Sequence, residues 1–270
     1  MEPRWIRNRP EAVAMDITPE IAKELLETST GNRALRGTYI ATLAGAMRRG
    51  EWRVTNQGIG IDIQGALRDG HHRLSALIEA NLTLPFIVTM GMPMNAYEVI
   101  DTGAKRTMAD LLTEHPNIAE IVRLAANIIN YSKQPTVDQV RPILESKIGL
   151  AARRLLEYCN TSKKYFSSAS MKLAAIVNII NSGEETYIRE QYRALVLQDY
   201  DAMSSCSKAL ARQVFNEKVS ASDRGETLAR AIKVFDPTRR ELTKIQISQS
   251  DKDAAIAFIR SVITHTLEDK

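Results

Sequence analysis

Apolar residues along this 270-residue chain follow two different periods. Between Ile59 and Arg68 they alternate. Ile59, Ile61 and Ile63 stand between small or polar residues, Gly65 turns the chain, and Ala66-Leu67-Arg68 continues extended. Gly70 interrupts the alternation, and Leu74, Leu77 and Ile78 then recur at helical spacing. Leu84 to Thr89 predicts a further strand, with Pro85 suggesting an edge or early position, and Met90 to Asn95 a connection. Upstream, Thr18 and Pro19 form a helix start with Thr18 as the cap. Ile21, Leu25 and Leu26 supply that helix's apolar face, and Gly31-Asn32 ends it. Tyr39 to Met47 predicts a second helix, closed by Arg48, Arg49 and Gly50. Trp5, set among Arg4, Arg7 and Arg9, reads as part of a frayed terminus that packs its indole onto the domain.

From Pro116 onward the period is helical. Ile118, Ile121, Val122, Ala125, Ile128 and Ile129 trace one face. Val137 to Ile148 and Leu150 to Tyr158 follow, interrupted near Gly149. Met171 to Ile180 is apolar nearly all round, which predicts the buried centre of a bundle. Tyr187 to Leu197, Ala202 to Phe215, Leu228 to Phe235 and Ala254 to Leu267 complete the series. The expected fold class is α+β: a small mixed-sheet domain of three or four strands over residues 1–113, then an all-helical domain over 114–270.

Composition narrows the function classes. Hydrophobic content of 44% and charged content of 25% are those of an ordinary globular protein. No apolar run approaches membrane-spanning length and the N-terminus lacks a signal peptide's apolar core, so a cytoplasmic protein is expected. Cys159 and Cys206 have neither zinc nor Cys-x-x-Cys spacing and read as buried thiols. The net charge of +4 is unevenly spread. Residues 1–110 carry 13 of the 36 basic and 13 of the 32 acidic residues, so the rest of the chain holds the whole excess. A grip on DNA is therefore expected from the C-terminal part, at Arg239-Arg240 with Lys244 or at Lys163-Lys164 beside Tyr165 and Phe166. Assembly of several copies is compatible with the sequence but not specified by it.

The chemistry concentrates between strand and helix, in Asp69-Gly70-His71-His72-Arg73. A helix start leaves backbone N–H groups without carbonyl partners, and phosphate suits such a place. Arg73 offers a fork for bidentate contact with phosphate oxygens. His71 and His72 are candidates to donate to a phosphate or relay a proton. Asp69 is a candidate cap, holder of a histidine tautomer, or metal ligand. Lys105 and Arg106 precede Thr107, which with Asp110 makes an imperfect capping box; they form a candidate second wall of an anionic site. Glu51 and Asp101 are candidates for activating an attacking group. The bland alternative has Asp69 capping, Arg73 paired with it and the histidines half-buried. The density of such residues over five positions tips the reading towards function.

Asp69-Gly70-His71-His72-Arg73-Leu74-Ser75-Ala76, followed by the strand from Leu82 to Val88, resembles the signature of the ParB N-terminal/sulfiredoxin superfamily. The likeness is greatest to its phage and mobile-element branch, with an Asp-Gly-(Gln/His)-His-Arg-Leu motif. Asn32-Arg33, Gly50-Glu51-Trp52 and the segment Val99 to Thr107 also resemble that set, so the likeness spans roughly the first 110 residues. In sulfiredoxins a nucleophilic Cys directly follows the glycine; His71 stands there, which argues against sulfinic acid reduction. Partition proteins bind and hydrolyse CTP with this domain and follow it with a helix-turn-helix domain. Free-serine kinases carry a Gly-His-His-Arg type motif, and some members are described as nucleases. The resemblance thus implies a nucleoside triphosphate, ATP or CTP, with Mg²⁺. Gly70, His71, His72 and Arg73 would form its phosphate cradle, with Arg33 nearby and Lys105, Arg106 and Thr107 as further contacts. The catalytic candidates are His71, His72 and Asp69. The expected function is phosphate hydrolysis or phosphoryl transfer by a phage-type protein acting with or on DNA. The alternatives are a non-catalytic DNA-binding or partition-like regulator and a ParB-like nuclease.

Overall fold

The structure, a computed structural model, describes residues 4–29, 35–95, 107–130, 132, 134–216 and 223–269. By its contacts the chain divides into two compact units, Met1–Lys105 and Arg106–Lys270. The fold class is α+β, a small mixed sheet with helices followed by a helical region. The division falls ahead of the expected 113/114 because Leu112 buries its side chain in the core of the helical unit.

The N-terminal unit runs β1 (Glu11–Ile17), α1 (Pro19–Glu27), α2 (Gly37–Arg48), β2 (Ile59–Asp62), β3 (Leu67–Asp69), α3 (His71–Ala80) and β4 (Leu84–Met92). The four strands form one sheet in the order β1-β4-β2-β3. β4 is antiparallel to β1 and parallel to β2, and β2 is antiparallel to β3. Helices α1 and α2 both pack on α3. Leu74 and Leu77 of α3 share one buried cluster with Ile59, Ile61, Leu67, Phe86 and Val88 from the strands.

Strand β1 was not expected. Its residues 11–14 are all exposed, so no apolar alternation marks it, and its pairing with β4 defines it. β4 extends through Met92, replacing the connection expected from Met90 onward. It lies inside the sheet, so Pro85 occupies an early position and not an edge. The segment before β1 is packed and not frayed. Trp5 is 6% exposed and donates from its indole nitrogen to Glu24 Oε1 at 2.8 Å. Gly91, at φ +71°, lies so close to this segment that a Cβ would stand 2.3 Å from the Arg9 carbonyl oxygen.

Asp62 organises the β2–β3 hairpin from a position sealed from solvent. Its Oδ1 accepts the N–H groups of Gln64 and Ala66, and its Oδ2 pairs with Arg68 Nε at 2.6 Å. Burial pushes this carboxyl's pKa up, but the Ala66 amide, Arg68 and the Gln64 amide outweigh it and hold the acid below its ordinary value.

The helical unit runs α4 (Met108–Leu112), α5 (Pro116–Asn130), α6 (Val137–Leu144), α7 (Lys147–Tyr158), α8 (Ala169–Ser182), α9 (Glu185–Leu197), α10 (Ser205–Asn216), α11 (Arg224–Phe235) and α12 (Gln249–Glu268). As the all-round apolar pattern predicts, α8 is central. Every residue from Ser170 to Ile179 is buried, and α5, α7, α9, α11 and α12 surround it. The break near Gly149 lies a few residues earlier, at Glu145-Ser146, where Ser146 caps α7. Gly149 sits inside α7 for a different reason: a Cβ there would stand 1.9 Å from the Leu144 carbonyl oxygen. Cys159 and Cys206 are buried thiols. Among the described residues, no helix is long and apolar enough to cross a membrane.

Candidate functional site

Gly70 ends β3 and starts α3 in a left-handed conformation, φ +108°. The dihedral calls for glycine; a Cβ here would also stand 2.5 Å from Ile59 Cδ1, the movable end of that side chain. Without a side chain, Gly70 supplies no cap to the helix it opens. Its carbonyl accepts the Leu74 N–H at 2.9 Å, the first bond of the helix. The amides of His71, His72 and Arg73 precede that bond and have no carbonyl one turn back.

Asp69 and Arg73 are committed to each other. Asp69 Oδ2 pairs with Arg73 Nη2 at 2.8 Å, and Oδ1 accepts the Gly70 N–H at 2.6 Å. The same Arg73 nitrogen donates to the Gly58 carbonyl at 2.8 Å, and the side chain is 20% exposed. Both bonds use the one nitrogen Nη2, so the expected bidentate contact with phosphate would compete with an ion pair already formed. A spacing of four along the chain brings the guanidinium beside a fixed carboxylate, and the charge-assisted bond draws it inward. Each Asp69 oxygen thus accepts one hydrogen bond. Among the described residues, no group of three or more His, Cys, Asp or Glu suits a metal ion.

The imidazoles tie α3 to the two preceding helices. His71 is at the first position of α3, with its Nε2 2.6 Å from Ser29 Oγ, two residues beyond α1. Next to Ser29, Thr28 Oγ1 donates to the Leu25 carbonyl and accepts the Leu67 N–H, joining α1 to β3. Burial lowers the His71 pKa below its ordinary 6.5; Asp69 opposes this and His72 adds to it. His71 is therefore neutral at pH 7. His72 Nε2 accepts the Arg36 N–H at 3.1 Å, which leaves the proton of a neutral ring on Nδ1. The Tyr39 ring meets the His72 ring edge to face at 5.4 Å.

These contacts bring the starts of α2 and α3 together. Neither helix has a side-chain cap and neither has an acidic residue in its first turn. By contrast α1, in the same unit, has both Thr18 as cap and Glu20 in its first turn. Two positive helix ends thus meet at the imidazole pair with no first-turn carboxylate to offset them.

Arg33, Asp101, Lys105 and Arg106 lie outside the described residues. Thr107 opens α4 in the helical unit. Its capping box with Asp110 is complete: Thr107 N and Oγ1 both donate to Asp110 Oδ2 at 2.7 Å, and Oγ1 accepts the Asp110 N–H. Glu51 pairs with Arg49 at 2.7 Å, beyond the far end of α2, about 18 Å from that helix's start at a rise of 1.5 Å per residue. It is not placed to act on a group at His71. Tyr165 and Phe166 are core side chains and offer no surface for stacking bases. Arg239 pairs with Asp236, and Arg240 lies over the Tyr187 ring.

Set against protein-family models, curated proteins and solved structures, the chain matches none. Its chemistry is therefore argued from its own geometry. Sequence reasoning missed Ser29, Arg36 and Tyr39 as neighbours of the motif. Ser29 is 42 residues from His71 and Arg36 is 36 from His72, so no local pattern links either to its partner.

Proposed function

We propose that the N-terminal unit binds the phosphates of a nucleotide where the first turns of α2 and α3 meet. The observation that carries this reading is the pair of helix starts, joined through Arg36 N–H and His72, neither of which has a side-chain cap or an acidic residue in its first turn. Amide donors and aligned dipoles at such ends hold an anion, and the imidazoles beside them add a donor or a proton relay. The likeness to the ParB N-terminal/sulfiredoxin superfamily, in its phage branch, supports ATP or CTP as the ligand class. It also supports phosphate hydrolysis or phosphoryl transfer as the reaction. A DNA partner rests on the same likeness and on the basic excess of the C-terminal part.

One observation favours a second reading, binding without turnover. Arg73 Nη2 is held by Asp69 and the Gly58 carbonyl, so that nitrogen is already engaged. The charge developing in a transferring phosphoryl group would then meet a guanidinium partly neutralised by its own carboxylate.

Titration calorimetry with ATP and CTP in Mg²⁺ buffer tests the binding site. The wild-type chain is expected to bind at least one of them, and Thr38→Asp to weaken binding about tenfold, a loss of about 1.4 kcal/mol. Thr38 is exposed in the first turn of α2, where a carboxylate favours the helix and repels phosphate. Absence of binding by the wild type removes the reading. Binding with no phosphate release or transfer selects the regulator over the enzyme.

A further inference from the structure

The helical unit holds a cavity of about 560 Å³ between the end of α8, the end of α11 with residues 236–240 after it, and the first half of α12. A volume of this order takes a small molecule. Ile232, Ala255 and Phe258 give it an apolar lining. Asn178, only 4% exposed, lines it as well. Its Nδ2 donates to the Ala174 carbonyl at 2.9 Å and to the Ile232 carbonyl at 3.4 Å, and among the described residues no donor meets its Oδ1. A buried amide oxygen without a donor carries a cost that a bound donor removes. Most charges around the cavity are already matched. Lys233 pairs with Asp251 at 2.7 Å and Arg239 with Asp236 at 3.0 Å, which leaves no surplus of cations for a phosphate. What remains is one charge of each sign. Glu184 follows the end of α8, and Arg240 lies over the Tyr187 ring at 5.8 Å; among the described residues neither forms an ion pair.

We infer that this cavity binds a small zwitterion of the amino-acid type, with an ammonium group, a carboxylate and an apolar side chain. The ammonium donates to Asn178 Oδ1 and faces Glu184, at the carbonyl end of α8, where the helix dipole is negative. The carboxylate takes the Arg240 guanidinium, whose planar fork suits two parallel bonds. The apolar side chain leaves water against Ile232, Ala255 and Phe258. Such a ligand is neutral overall, as is the Glu184 and Arg240 pair that it meets. A free amino acid and a short peptide share this chemistry through their two ends. The site belongs to the helical unit and stands independently of the phosphate reading of the N-terminal unit.

The full chain is titrated by calorimetry with L-leucine, L-phenylalanine and the dipeptide leucyl-leucine. Saturable binding of at least one is expected, and the tightest distinguishes the free amino acid from the peptide. The N-acetylated form of that ligand lacks the ammonium and its C-amidated form lacks the carboxylate. Each should bind about tenfold more weakly than the parent. Arg240→Gln should weaken the parent about tenfold and leave the C-amidated form unchanged. Glu184→Gln should weaken the parent and leave the N-acetylated form unchanged. Both residues are exposed, so the substitutions spare the fold, and circular dichroism melts check this. No binding by any of the three probes overturns the proposal, as does equal binding of the blocked forms. Binding that neither substitution moves places the ligand elsewhere and overturns it too.

Discussion

The two units start their helices differently. In the helical unit Thr107, Ser146, Ser168, Asp223 and Ser248 close the first turns of α4, α7, α8, α11 and α12 with side-chain oxygens. Among the described helices of the N-terminal unit only α1 is closed in this way, by Thr18, whereas α2 and α3 begin on Arg36 and Gly70 with no side-chain cap. A missing cap costs a helix about 1 kcal/mol. The helical unit avoids that cost at these five helices and bears it at α9, whereas the N-terminal unit lacks side-chain caps at two helix starts that lie side by side, one of them on a glycine that costs little.

The largest expected effect lies in the N-terminal unit. Asp62→Ala leaves Arg68 without its buried partner and should destabilise the unit by about 4 kcal/mol. Both tryptophans, Trp5 and Trp52, belong to this unit, so their fluorescence reports its unfolding. Because the folded Asp62 carboxyl titrates below its ordinary value, its contribution is present above about pH 4 and is lost as pH falls through the folded pKa. An acid titration followed by fluorescence should show this loss, and Asp62→Ala should remove it. A fluorescence midpoint unchanged by the substitution would mean the hairpin does not depend on this carboxylate.

Next in size is Gly149→Ala in the helical unit. Alanine is the better helix former, yet its methyl would meet the Leu144 carbonyl, and a net loss of about 2 kcal/mol is expected in thermal melts followed by circular dichroism. A stabilised variant would show that the end of α6 yields. Smaller again is Ser168→Ala, which removes the cap of the central helix α8 and should cost about 1 kcal/mol.

The smallest effect sharpens the contrast most. His71 takes up its proton below 6.5 when folded, so the unfolded chain binds that proton first as pH falls. Stability of the N-terminal unit should be level above about pH 6.5 and decline below it, and His71→Asn should flatten that limb. A limb that survives the substitution would assign the titration to another group.

Much of the scaffold was legible because its determinants are local. The Thr18-Pro19 start, the Gly70 break and the all-round apolar α8 each occupy a few consecutive residues, and each stands as expected. β1 was not legible, since an exposed run with Ala12 and Ala14 is a strand only through pairing with residues some 70 positions away. The site was half legible. Asp69 and Arg73 are spaced to pair and Arg73 is spaced to reach a phosphate, and pattern alone does not rank the two anions. The Ser29–His71 and Arg36–His72 contacts are made by folding and leave no periodic trace. Gly149 misled for a related reason: a glycine kept for a close approach looks the same in sequence as one that ends a helix.

The tight seating of the Arg9 carbonyl on Gly91, with Trp5 buried against α1, bears on how the chain can be handled. Residues 4–9 serve as a clasp over the sheet, and clipping them would loosen β1 from β4.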